Sequence, residues 1–78
     1  MSDIHKNYLL DLGRYIREAG TAAKGDAEAA SDDDRQFQLG RRMAYYEVLS
    51  LMEQQAAAFN LPPHDLALDG FDADRDVL

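Results

Sequence analysis

The chain has no cysteine, no tryptophan and only two prolines, which are adjacent at Pro62 and Pro63. Without cysteine there can be no disulfide, thiolate metal site or cysteine nucleophile, and a cytoplasmic home is the simplest expectation. No apolar run approaches the roughly 20 residues needed to span a bilayer. The N-terminus, MSDIHKNYLL, carries an acid at position 3 and no uninterrupted apolar core, so it does not read as a signal peptide. Basic residues are also scarce, eight against fifteen acids, for a net charge of −7. That balance argues against a nucleic-acid footprint built on phosphate neutralisation. Seventy-eight residues make one small domain at most. A chain this short buries a modest fraction of its unfolded surface unless something staples it or pairs it, and no staple is visible.

The charge is unevenly placed. Residues 1–25 hold three acids and four bases, and residues 35–60 hold two acids and three bases. The excess acid lies between and after them: Asp26, Glu28, Asp32, Asp33 and Asp34, then Asp65, Asp69, Asp72, Asp74 and Asp76. The two slightly basic stretches both have helical periodicity. Residues 3–24 bring Ile4, Tyr8, Leu9, Leu12, Tyr15, Ile16 and Ala19 onto one arc of roughly 140°. Ser2 or Asp3 can cap this first helix, and Gly25 is placed to end it just beyond Lys24. Gly13 and Gly20 each cost about 1 kcal/mol of helix propensity relative to alanine, but they share a side and admit a close neighbour.

Ser31, followed by Asp32, Asp33 and Asp34, predicts the start of a second helix, with Ser31 and Asp34 at capping-box spacing and acids on the positive end of the dipole. This helix is expected over residues 33–60 and stops before Leu61-Pro62-Pro63. Its apolar surface is broader than one partner helix covers: Phe37, Ala44, Tyr45, Val48, Leu49, Leu51, Met52, Ala56 and Phe59 span about 160°. Gln55 falls inside that arc, where an amide needs a partner. A tyrosine hydroxyl is the default, and its own copy across a symmetric interface is the alternative. A narrower second stripe of Leu39, Met43 and Tyr46 is a candidate contact for another protein. Residues 61–78 form an acidic tail. Leu66, Leu68, Phe71, Val77 and Leu78 make it more apolar than solvation requires, so it is expected to dock partly on the helix ends, with one helical turn at Pro63 to Leu66.

Several residue patterns resemble chemical sites but have simpler explanations. Asp72, Asp74 and Asp76 alternate as a calcium loop begins, yet Val77 stands where that loop needs glycine and no bidentate glutamate follows. His5 and His64, with Asp3 and Asp65, would meet at one end of an antiparallel hairpin, but the simpler reading sets His5 on the shoulder of the first helix's apolar face and His64 in the exposed turn after the prolines. Arg41, Arg42, Tyr45 and Tyr46 mix planar cations with aromatics, as single-stranded nucleic acids prefer, although the neighbouring aspartates would repel phosphate. Glu47 and Glu53 lie about 120° apart on the wheel and make no carboxylate pair. No serine or threonine has a histidine at a suggestive spacing, so catalysis is not expected, and neither is a cofactor or metal.

The sequence therefore predicts an all-α antiparallel hairpin that pairs into a four-helix bundle as a homodimer, with a tetramer as the alternative. The shared core is expected from Phe37, Tyr45, Val48, Leu49, Met52 and Phe59 with Tyr8, Leu12, Tyr15 and Ile16. Aspartate at Leu49 or Met52 is then expected to abolish the dimer. The function expected is that of a small non-catalytic interaction or regulatory protein. Its rivals are a nucleic-acid-associated regulator using Arg35, Arg41 and Arg42, and an acidic decoy for a basic partner.

Overall fold

The computed structural model describes residues 3–78 and is all-helical, with no strand among the described residues. Two long helices, α1 (Asp3–Glu28) and α2 (Arg35–Ala58), pack against each other as an antiparallel hairpin. A 3₁₀ turn (Pro63–Leu66) and a single helical turn, α3 (Ala73–Asp76), follow. The molecule is elongated, 47 × 22 × 17 Å. Ser2, one of the two expected caps of α1, lies outside the described residues.

The helix ends differ from expectation for local reasons. Helix α1 does not stop at Gly25 but continues to Glu28. Burial of Ala27 beyond that glycine, on the same side of the helix as Ala23, offsets its helix penalty of about 1 kcal/mol. Helix α2 starts at Arg35, two residues later than expected, because no capping box forms. The Ser31 hydroxyl turns to the Asp34 carboxylate at 3.5 Å instead of a backbone N–H. At its other end α2 closes with a Schellman motif: Asn60 enters the left-handed region at φ 57°, Leu61 N–H donates to Ala56 O at 2.8 Å, and Asn60 N–H to Ala57 O at 3.1 Å. This ends the helix at Ala58, before the prolines.

The core owes as much to residues 61–78 as to the hairpin. Of the eight apolar side chains buried among the described residues, four come from this segment: Leu66, Leu68, Ala73 and Val77. They join Leu49 and Ala56 of α2, with Leu9, Ile16, Tyr45 and Met52 packed around them. The two glycines of α1 that share a side admit this segment. A Cβ at Gly13 would overlap the Leu66 carbonyl, and one at Gly20 would meet Leu49 Cδ1 and Val77 Cγ2. Cations of the hairpin then tie the segment down by its backbone. Arg17 donates to Ala67 O and Asp69 O, both at 2.9 Å, and Lys24 to Arg75 O at 3.1 Å. Arg42 Nε donates to Val77 O at 2.6 Å and its Nη2 to Leu78 O.

Candidate interaction face

Only one side of the hairpin is covered by residues 61–78. Apart from Leu10, the large exposed apolar side chains of α1 lie roughly 100° around the helix from the buried ones, and those of α2 other than Leu39 and Met43 show the same offset. Because the helices run antiparallel, the two offsets point to one side of the molecule, opposite the docked segment. Ile4, Tyr8, Leu12 and Tyr15 line this side on α1, and Phe37, Val48, Leu51 and Phe59 on α2, all of them exposed. The largest are nearly bare: Tyr8 and Phe37 are each 68% exposed and Phe59 71%. Gln55 is exposed among them.

The residues expected in a shared core thus separate into two groups. Phe37, Val48, Phe59, Tyr8, Leu12 and Tyr15 sit on the open face, whereas Tyr45, Met52 and Ile16 are half-buried against the core of the single chain. Leu49 is 0% exposed and belongs to that core entirely, so aspartate at this position reports on the fold and not on an interface. Ile4 and Leu51 were readable on the apolar arcs and join the face. The cations that hold the tail carried no such signal, since a backbone carbonyl acceptor leaves no mark in residue types.

Charge borders the face along α1 and crosses it at one point. Arg14 pairs with Asp11 at 3.6 Å and Glu18 at 3.7 Å, and its guanidinium lies 4.5 Å from the Tyr15 ring centroid. Arg41 reaches across the hairpin to Asp26 at 2.8 Å and stacks 5.8 Å from the Tyr45 ring centroid. Such pairs fix side-chain positions more than they add stability.

The second stripe is partly covered. Leu39 and Met43 are exposed, but Tyr46 is half-buried under α3 and donates its hydroxyl to Asp74 Oδ1 at 2.6 Å. That carboxylate holds the Tyr46 phenol above its ordinary pKa. The three alternating aspartates of the tail are likewise engaged. Asp72 caps α3 by accepting from Asp74 N–H at 3.0 Å and Arg75 N–H at 3.4 Å. Asp76 pairs with Arg75 at 2.8 Å and accepts Asp72 N–H at 2.9 Å, which together push its pKa well below the usual carboxylate range. Among the described residues no group of three or more histidine, aspartate or glutamate side chains is placed to hold a metal. His64 lies 3.3 Å from Asp65 in a cleft of about 200 Å³ that Lys6, Asn7 and Leu10 also line. His5 is exposed.

A second cavity, of about 240 Å³, opens between the end of α2 and the tail, walled by Ala56, Leu61, Leu68 and Phe71 with Glu53 at its edge. Burial raises the Glu53 pKa, the Ala73 N–H that it accepts at 3.3 Å opposes the rise, and Asp72, Asp74 and Asp76 add to it. Of the three arginines considered for nucleic acid, Arg41 and Arg42 are committed to Asp26 and to the tail, and Arg35 is exposed. No helix among the described residues is long and apolar enough to cross a membrane. Comparison with protein-family models, with curated proteins and with solved structures finds no match.

Proposed function

We propose that this chain is a small, non-catalytic interaction module whose working form is a homodimer, two hairpins closing into a four-helix bundle. The observation that carries the reading is the apolar side of the hairpin left bare by the docked tail. Large side chains at this exposure are costly in water, and a patch running the length of both helices marks an association surface. A two-helix side of a molecule 47 Å long and 22 Å across is of the order of the ~800 Å² per partner found in standard interfaces. Self-association also answers the size problem of a chain that can form no disulfide.

The residual surface, with Leu39, Met43 and the acidic α3 turn, remains free in such a dimer to meet another protein. The nucleic-acid reading draws on Arg35, Arg41 and Arg42, two of which already hold other groups in place, and the decoy reading draws on acids of the connection and the tail, of which Asp26 pairs with Arg41 and Asp72 and Asp76 cap and brace α3. Neither gains a specific observation.

Leu51→Asp tests the proposal because Leu51 is exposed and its change leaves the protomer core intact. A symmetric interface buries it twice, at about 2 kcal/mol each, so the dimer dissociation constant should rise about a thousandfold. Sedimentation velocity reads this as a shift from dimer to monomer with unchanged helicity by circular dichroism. A sedimentation coefficient equal to that of the unaltered chain would refute the assignment.

A further inference from the structure

We infer that the two copies pair about a two-fold axis crossing the open face at the level of Ala19 and Val48, so that α2 lies antiparallel on the partner's α2 and α1 on the partner's α1. The inference rests on the self-association proposed above and adds its geometry. The Asp26 to Arg41 bond at 2.8 Å sets the register of the hairpin to within a turn, and the approach of Leu49 to Gly20 agrees with it to within two residues. Counting along antiparallel helices of equal rise then places Ala19 level with Val48 and Tyr8 level with Phe59.

The pattern of α2 is self-complementary about Val48. Phe37 and Phe59 each lie eleven residues from it, about three turns, so the three side chains form one line. A two-fold axis there sets Phe37 beside the partner's Phe59, Ala44 beside Met52, and Tyr45 beside Leu51, an aromatic pair and large against small. It also sets the partner's Gln55 beside Arg41 and Asp26. The Gln55 carbonyl can accept from that guanidinium and its NH₂ can donate to that carboxylate, so the one amide on the face is satisfied. Helix α1 fits the same axis. Ala19 allows close approach at the centre, and the aromatic half of α1 covers the partner's small-residue half, with Tyr15 level with Ala23 and beside the exposed Ala22, and Tyr8 level with Ala30 just past the end of the partner's α1. This accounts for a stretch, residues 20–30, that carries no large apolar side chain. Each end of the dimer then joins Tyr8 and Phe59 of one copy to Phe37 of the other. An axis running along the helices would instead set Val48 on the partner's Ala19 and bury Gln55 against Leu12, leaving a buried amide without a partner.

The absence of cysteine makes the test direct. A residue on the axis faces its own copy, so Val48→Cys alone and Ala19→Cys alone should each give a disulfide-linked dimer as the major product of mild oxidation. Gln54→Cys, on the solvent side, should stay monomeric under the same conditions. Crosslinking that appears only when Val48→Cys and Ala19→Cys are mixed would overturn this axis and leave self-association standing. A dimer by light scattering that crosslinks in neither way would place the interface elsewhere and overturn the inference. A monomer by light scattering with no crosslink would overturn both it and the reading on which it rests. Helicity equal to that of the unaltered chain shows that each variant is folded.

Discussion

Of the glycines, Gly13 has the closest neighbour, because its missing side chain lets the Leu66 carbonyl rest on α1. Backbone cannot swing aside as a side chain can, so Gly13→Ala should cost on the order of 1–3 kcal/mol of stability, read as a lower denaturant midpoint. Gly25 and Gly40 are helical and have nothing within 4 Å of a Cβ, so alanine there should stabilise by roughly 0.5–1 kcal/mol each. A gain in stability at Gly13 would mean that the tail does not sit where the structure puts it. Glu53 and Asp76 set the acid response. Burial raises Glu53, so its ionised form opposes folding, and Glu53→Gln should raise the melting temperature at neutral pH, with the gain fading as pH falls through its folded pKa. Asp76 is depressed by Arg75 and the Asp72 N–H. Its contribution is present above the ordinary carboxylate pKa and is lost as pH falls below about 4. Asp76→Asn should therefore flatten the acid limb of a melting curve followed from about pH 7 to pH 2.

At the scale of elements, the two long helices were legible because apolar residues recur at helical spacing in both. Their ends were not. Gly25 looks like a stop, but the burial of Ala27 beyond it is a tertiary fact. Asn60 closes α2 through a left-handed conformation that its residue type permits without announcing. The tail was legible in part. Leu66, Leu68 and Val77 signalled docking, and a turn at Pro63 was expected, yet nothing in residue types says that the segment supplies half of the buried apolar side chains. The reason lies in how it is held, through backbone carbonyls that face Arg17, Lys24 and Arg42. Arg17 also lies 5.1 Å from the Phe71 ring centroid. Arg17→Ala should therefore loosen the first half of the tail while sparing the helices, speeding amide hydrogen exchange at Leu68 and Phe71 by roughly ten- to a hundredfold. Unchanged exchange there would show that apolar packing alone retains the segment.

On the whole-molecule scale, the tail gives the hairpin a covered side and a bare one. The broad arc of α2 combines the two, which is why Leu49 and Leu51 look alike in the sequence and differ in the structure, one enclosed and the other exposed. Their aspartate variants should separate accordingly. Leu49→Asp puts an uncompensated charge in the protomer core and should lose helicity, whereas Leu51→Asp should keep it and lose only the partner. The central claim is that the bare side is closed by a second copy. The most direct test is the solution mass of the unaltered chain, by light scattering after size exclusion over a wide concentration range. A mass of twice the single chain, falling only on strong dilution, is the predicted result. A folded monomer at every concentration would contradict it.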